Sequence, residues 1–482
     1  MIIPSVTLLT QEGGYPYSHG TASRLCDRLL RGMPDVGFDI LTVVTDRVNP
    51  IVWEVPHNVA RVLTVPTWGP PHAGRALRSR RLREFLSRYE NFLLSLLRVG
   101  SPEGFADGLC ALAAHSRAGE LSATLRTDAA ARTLAAVWRH PDVAGSVADA
   151  TRHDARQATD LLEQTLRPLA APSPRTDLTH AVGGGLAALP GLVARHFEDV
   201  PLLLSEHGEF QPERYLGHRA GPYRWPVKAL LLGFHRLLAR ETNARADLVT
   251  FGGHYHRRWV EHGGTEVGRI GTVYGGIEPE LFPRFAKPEP QVPTLVWAGR
   301  IDPIKDLETL IRCFHIVRRE LPEARLRLFG PVASGAERYR DHCQALIAEL
   351  GLTNAVTFEG RVSDIESAYA AGNIVMLSSV SEGFPFSVVE AMAFGRVPVS
   401  TAVRGAREAV GDAGLVVPLR DPLAMAQAAL GLLRNPARRA AMVKVGRQRV
   451  IEQFMLRHTT DSFRSFYLSL AGQSRGAGTS GV

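Results

Sequence analysis

The feature that most constrains this chain is an alternation of short apolar runs with amphipathic helical stretches. It opens with VTLLT (Val6–Thr10), a run of strand length, broken by QEGGYPYSHG. TASRLCDRLLRGM then has helical spacing, and FDILTVVT is a second apolar run. Strand, loop, helix, strand is a βαβ unit. Such units build parallel sheets, because a parallel neighbour is reached through a right-handed crossover. The alternation resumes in DLTHAV, VPLLLSEHG, ADLVTFGGHYHRRWVEHG and GRIGTVYGGIEPELF. It starts afresh after PRFAKPEPQVP (Pro283–Pro293), whose prolines and charges fit a linker. There TLVWAGR, RLRLFG, AVTFEG, NIVMLSS, VPVSTA and GLVVP are strand candidates, most of them followed by a helical pattern.

The pattern predicts an α/β protein of two tandem doubly wound, Rossmann-like domains. The first spans 1–282, with an insertion over about 70–172 where REFLSRYENFLLSLL and DARQATDLLEQTL are helical and strand candidates are few. The linker is 283–293 and the second domain 294–455. A helix follows at 456–471, with packing back on the first domain as one placement for it. The tail 472–482, rich in Gly and Ser, reads as disordered. A length of 482 residues is more than one core usually organises, which agrees with two domains.

The start IIPSVTLLT lacks a basic leader, a long apolar core and a cleavage site. No run approaches the ~20 apolar residues of a membrane span. The four cysteines, Cys26, Cys110, Cys313 and Cys343, show no metal spacing and read as reduced, small apolar residues. These features point to a cytoplasmic protein. The net charge of +8 favours anionic partners. Its sharpest cluster is RALRSRRLR, with Arg75, Arg78, Arg80, Arg81 and Arg83. Two readings fit it: a solvated arginine face, or contact with acidic lipid headgroups or an anionic polymer. Peripheral contact with an anionic membrane or a membrane synthase complex is the partner expectation beside the nucleotide sugar and the acceptor. Nucleic acid is not expected, since no aromatic residues interleave the arginines.

The loops after strands carry the chemistry. In SEGFPFSVVEAMAFG, Pro385 suits the first position of a helix ending at Gly395. Its early N–H groups, at Phe386, Ser387 and Val388, form an anion site of diphosphate size. Glu390, about one turn further in, can accept bonds from vicinal ribose hydroxyls, while Glu382 faces the other end of such a ligand. In AGRIDPIKDLETLI, Arg300 and Lys305 can clamp a departing diphosphate. The alternative for Arg300 is a structural pair with Asp302 or Asp306, and Asp306 can cap the next helix. His254, His256 and His262 read as a helix surface; no metal site is expected.

The second half, over roughly Thr294 to Pro418, resembles the nucleotide-binding domain of family 4 retaining glycosyltransferases, of GT-B fold. AGRIDPIKDLETLI, VTFEGRVSDIESAYAAGNIVMLSSVSEGFPFSVVEAMAFGRVPVS and REAVGDAGLVVP carry the likeness. The first half resembles the PelF-like branch in EGGYPYSHGTASRLCDRLLRGMP, THAVGGGLAALPGLVAR and SEHGEFQPERYL. The resemblance implies an inter-domain cleft, Glu390 on the ribose, and Arg300 and Lys305 on the diphosphate. It implies base recognition by backbone at Gly360, Arg361 and Val362, and Glu382 on the donor sugar. His207 would line the reaction centre. Tyr15, Tyr17, His19 and Gly20 would form an acceptor-side loop closing over diphosphate and acceptor. The chain departs from the family's pattern at Thr21, at Gly275-Gly276 and at Arg404-Gly405.

The expectation is transfer of a sugar from a nucleotide diphosphate sugar, UDP-sugars favoured, to a hydroxyl acceptor in exopolysaccharide or cell-surface glycan synthesis. The leaving phosphate oxygen takes the acceptor's proton, so no metal and no cofactor is called for. The alternatives are a transferase for a small polyol phosphate such as inositol phosphate, a nucleotide-sugar epimerase, and a non-catalytic binding protein of the same fold.

Overall fold

The computed structural model describes residues 3–10, 14–44, 50–70, 73–98, 103–206, 221–257, 265–278, 288–333, 335–362 and 364–477. The chain divides into two compact units. Unit 1 comprises residues 1–251, 257–271 and 462–482; unit 2 comprises 252–256 and 272–461.

Unit 1 is built on a seven-stranded sheet: β1 (Val6–Thr10), β2 (Phe38–Val44), β3 (Val59–Pro66), β4 (Leu178–Val182), β5 (Leu202–Glu206), β6 (Leu248–Phe251) and β7 (Ile270–Thr272), in the order β3-β2-β1-β4-β5-β6-β7. From β3 through β6 each neighbouring pair is parallel. β1, β2 and β4 are buried at every position, as continuous apolar runs covered on both faces must be. The insertion is helical, with helices Ser79–Leu97, Phe105–Arg117, Asp128–Val137 and Arg152–Leu166 among its elements. It shares one continuous core with the sheet and with helix Trp225–Arg245. Phe92 stacks on Phe105 at 5.5 Å and meets Phe234 edge-on at 6.4 Å. The arginines of RALRSRRLR are all exposed; Arg80 pairs with Glu84 and Arg81 with Glu120.

The C-terminal helix runs from Leu456 to Ala477, past the point where a disordered tail was expected. Apolar and aromatic side chains explain its course: Phe463 and Tyr467 are buried, and the Tyr467 hydroxyl lies 2.8 Å from Nδ1 of the buried His180. His180 Nε2 meets Ser205 Oγ at 2.7 Å, and Arg464 forks onto Asp35 at 2.6 and 2.7 Å. From Ser462 the helix therefore counts with unit 1.

Unit 2 carries a six-stranded sheet: β8 (Thr294–Ala298), β9 (Arg325–Phe329), β10 (Val356–Gly360), β11 (Ile374–Leu377), β12 (Val397–Thr401) and β13 (Leu415–Val417), in the order β10-β9-β8-β11-β12-β13, parallel throughout. The longer segment of unit 2 starts at Thr272, well before the expected linker. The reason is local: the Ile277 N–H donates to Phe454 O at 2.7 Å and the Leu456 N–H donates to Ile277 O at 2.9 Å. The described part of the Pro-rich segment is also pinned. Glu289 takes the guanidinium of Arg439, and the buried Arg396 donates to Pro288 O at 3.2 Å. Cys26, Cys313 and Cys343 are free and buried, and Cys110 is half-buried.

Three neighbouring strands of unit 2 end in glycine. Gly299, Gly330 and Gly360 follow or close β8, β9 and β10, with Gly299 N–H on Phe329 O at 2.9 Å and Gly330 N–H on Gly360 O at 2.8 Å. Gly330 has φ +136°, and a Cβ there would lie 1.7 Å from Gly299 O. No side chain fits. Gly351, by contrast, has φ +68° with open space around it. Gly351→Ala should cost about 1 kcal/mol in chemical denaturation, from backbone conformation alone. Gly330→Ala should cost at least about 3 kcal/mol, because strand ends must also separate. Equal losses would show that the close approach is relaxed away cheaply.

Candidate functional site

In each sheet the strand order reverses once, between β1 and β4 and between β8 and β11. The loops leaving the carboxyl ends of the two central strands at such a reversal are the usual ligand position in sheets of this kind. In unit 2 those loops are 299–306 and 378–385, the ones that carry Arg300, Lys305 and Glu382.

The two loops are bonded together. Val380 N–H donates to Ile304 O at 2.9 Å, and Ser378 Oγ donates to Lys305 O at 2.8 Å. The Lys305 ammonium forms an ion pair with Glu382 Oε1, which also accepts from Ser379 Oγ at 2.6 Å. Both side chains of the pair are largely shielded, 20% and 16% exposed. The lysine expected on the diphosphate and the acid expected on the sugar thus meet directly. Arg300 stands differently: its guanidinium is 64% exposed and 3.8 Å from Asp302, too far for a hydrogen bond. Asp302 instead caps Ile304 N–H at 3.0 Å, while Asp306 caps helix Leu307–Glu320 through Thr309. The structural pairing considered for Arg300 is therefore weak.

The helix after the Glu382 loop is Phe386–Ala393, and Pro385 is its cap rather than its first residue. Two of the three N–H groups expected to be free there are engaged. Phe386 N–H donates to Phe384 O at 2.8 Å and Val388 N–H to Pro385 O at 3.0 Å. A tight turn at Pro385 folds the chain back on itself, which narrows this part of the expected anion site to Ser387. Glu390 is half-buried, and its Oε2 accepts from the Tyr369 hydroxyl at 2.7 Å, which fixes one edge of the carboxylate. Gly360 ends the edge strand β10 with φ +71° and open space beyond it. Arg361 is exposed, and Val362 packs against Val296, Phe329 and Ala368.

In unit 1 the acceptor-side loop is held from below. Tyr15 is fully buried and Tyr17 nearly so. The Tyr15 carbonyl accepts from Thr10 Oγ1 at 3.0 Å and Thr42 Oγ1 at 2.9 Å. Tyr15 thus anchors the loop and does not present its ring. His19 is exposed, beside Trp53 at 5.1 Å, and Gly20 begins helix Thr21–Gly32. Gly20 has extended φ of −159°, and a Cβ there would meet nothing within 4 Å. Neither conformation nor packing demands glycine at this helix end. His207 and His262 lie outside the described residues, as does the His256 side chain. His254 lies on a short 3-10 turn, not on a helix surface.

One titratable group escaped the sequence reading. Glu206 closes β5, and its carboxylate accepts the Gly184 N–H. A Cβ on Gly184 would lie 2.6 Å from Glu206 Oε1, and Gly183 and Gly185 have φ of +88° and +80°. All three glycines of VGGGLA are thereby explained. The readable signal was a triple glycine facing a strand that ends in an acid. Burial pushes Glu206 up to about 7, against the lowering by the Gly184 bond. Among the described residues no three His, Cys, Asp or Glu side chains gather as a metal site would need. No helix among them is long and apolar enough to cross a membrane.

The raised value of Glu206 sets a stability signature. The folded chain holds the proton where the unfolded chain has lost it, so stability falls as pH climbs from about 4.5 to 7. Glu206→Gln should match wild type near pH 5 and exceed it by about 2 kcal/mol at pH 8, read by denaturation at each pH. A difference that does not change with pH would contradict the raised value of this half-buried acid.

Comparison with known proteins adds independent findings. Residues 4–267 match the family described as "Domain of unknown function (DUF3492)", and residues 292–435 match "Glycosyl transferases group 1". The D-inositol 3-phosphate glycosyltransferase of Saccharomonospora viridis is 32% identical over 192 residues, 38% of this chain and 44% of that relative. That of Frankia alni is 32% identical over 224 residues, 43% of this chain and 54% of the relative. The chain spans about half the length of the curated relatives it matches. Among solved structures, Anabaena HepE in complex with UDP and glucose superposes with TM-score 0.59 and 16% identity, over 97% of this chain and 100% of that one. Sucrose-phosphate synthase from Thermosynechococcus elongatus gives 0.62 and 19%, over 98% and 100%. At such identities the likeness establishes the fold, GT-B, with its two parallel-sheet units. The chain belongs to the DUF3492 family through residues 4–267, and it joins to that region a unit that matches the group 1 glycosyl transferases over residues 292–435.

Proposed function

We propose that the chain is a retaining, metal-independent glycosyltransferase of family 4, in its PelF-like branch, that uses a nucleoside diphosphate sugar. One observation carries the reading: Lys305 and Glu382 converge from the loops of β8 and β11, at the strand reversal of unit 2. Lysine has three N–H donors. Lys305 can keep Glu382 and still donate to a phosphate oxygen, so one cation both fixes the sugar-binding acid and steadies the leaving diphosphate. Arg300, exposed and weakly paired, supplies the second charge. Glu390, whose carboxylate is oriented by the Tyr369 hydroxyl, is the acid assigned to the ribose hydroxyls. Base recognition falls to the backbone at Gly360, Arg361 and Val362. The bare helix start at Gly20 supports close approach of a ligand to that backbone.

The reaction breaks the bond between the anomeric carbon and the diphosphate oxygen and forms one to the acceptor oxygen on the same face. The acceptor's proton passes to the departing phosphate. The protein contributes position and fixed positive charge. UDP is the favoured nucleotide; HepE, of the same fold, was solved with UDP and glucose. The acceptor is a glycan hydroxyl in exopolysaccharide or cell-surface synthesis at the cytoplasmic face of a membrane. A small polyol phosphate is the second reading, favoured by relatives named as D-inositol 3-phosphate glycosyltransferases.

Screening nucleotide sugars for nucleotide diphosphate release, with glycan or inositol-phosphate acceptors, tests the reading. Acceptor-dependent release is expected, and an epimerised sugar without release would replace transfer by isomerisation. Arg300→Ala should lower kcat by about 100-fold with an unchanged melting temperature. Glu390→Gln should weaken nucleotide diphosphate binding about tenfold in calorimetry. An unaltered isotherm would remove Glu390 from the ribose.

A further inference from the structure

The Glu382 loop continues into Phe384, whose ring enters a cage made by remote parts of unit 2. Its ring centroid is 5.4 Å from Tyr274 and 5.9 Å from Phe454. Gly405, with φ +72°, lies beneath it: a Cβ there would sit 3.2 Å from Phe384 Cδ2 and 3.5 Å from Pro385 Cδ. A Cβ on Gly253 would come within 3.0 Å of the same ring atom. The cage walls are two glycine backbones and two aromatic rings, and one side chain gathers them. Glu408, in the turn of helix Ala406–Val410, accepts from His254 N–H at 2.7 Å and from the Tyr274 hydroxyl at 2.7 Å through Oε1. Its Oε2 accepts from Tyr255 N–H at 3.4 Å. Arg449 donates to the carbonyls of Glu408 and Ala409, which fixes the helix that bears the acid. Arg404 lies over the Tyr255 ring at 5.7 Å, closing the same turn.

We propose that Glu408 is a positioning residue for the Glu382 loop: its carboxylate draws residues 252–256 and Tyr274 around Phe384, and the caged ring fixes the backbone on which Glu382 meets Lys305. The chain of contacts is continuous, from Glu408 to Tyr274 and Gly253, to Phe384, and over two residues to Glu382. A carboxylate suits the task because it only accepts, while two of its partners are backbone N–H groups and the third, the Tyr274 hydroxyl, donates to it. Burial and the Glu408 bond both push the Tyr274 phenol up, so it remains a donor at any ordinary pH. Glutamine in its place turns one oxygen into an NH2 group, which must face a backbone N–H, that of Tyr255 if Oε1 stays the oxygen and that of His254 if it does not. The consequence for catalysis rests on the reading that Glu382 holds the donor sugar; the consequence for the loop does not.

The test uses the full chain with Glu408→Gln and Tyr274→Phe. Hydrogen exchange followed by mass spectrometry reads the loop directly: amides of 380–386 should exchange about tenfold faster in E408Q and about threefold faster in Y274F, with exchange in β8–β10 unchanged. In assays with UDP-glucose, kcat should fall at least tenfold in E408Q, while calorimetric affinity for UDP, which does not reach the sugar subsite, stays within threefold. Wild-type exchange at 380–386 in both variants overturns the proposal, as does acceleration spread evenly over unit 2. Faster loop exchange with unaltered kcat upholds the positioning and counts instead against the role given to Glu382.

Discussion

Everything assigned to the candidate site depends on one register, that of β8 against β11. These strands are neighbours although Leu295 and Ile374 lie 79 positions apart, because β9 and β10 with their crossovers fill the other side of the sheet first. Right-handed crossovers leave the chain no second way to return. With the two strands side by side and parallel, their loops emerge from the same end. Short backbone bonds such as Val380 to Ile304 then bring Lys305 and Glu382 within contact. The ion pair is a product of topology before it is a product of chemistry.

The layout was legible where apolar runs and helical spacing alternate. Every strand candidate quoted for the second half became a strand, since a parallel strand covered on both faces must be apolar along its length. What the sequence could not show was where the compact units divide. Thr272 to Ile277 contains nothing in its composition to set it apart, yet Ile277 bonds to Phe454 and Leu456 and so counts with unit 2. A proline-rich stretch reads as a spacer, but Glu289 and Pro288 are tied to Arg439 and Arg396, arginines more than a hundred residues further on. The tail after Gly472 reads as polar and Gly-rich, but the helix that enters it is already anchored by Phe463 and Tyr467.

The site was legible in residue type more than in role. Lys305 was expected on a diphosphate and Glu382 on a sugar, and they are partners of each other. Phe386 and Val388 looked like open donors because a helix start leaves its N–H groups unpaired, but the turn at Pro385 uses both. Tyr15 looked like a loop tip and is a buried anchor. Glu206 and Glu408 passed unnoticed since an acid reveals its partners only when the fold is known. Each stands in a motif that was quoted, SEHG and REAVGD, with the glycines that make room for it nearby in space and distant in sequence.

The Lys305–Glu382 pair also shapes the field around its own loops. Two opposite charges in contact cancel at any distance beyond their separation, so from outside the pair is nearly neutral. The exposed guanidinium of Arg300 remains as the charge that a polyanion would sense from solution. Such attraction fades over a Debye length of about 8 Å at physiological salt. Added electrolyte therefore bears on the speed of encounter through Arg300, and much less on the shielded lysine once contact is made.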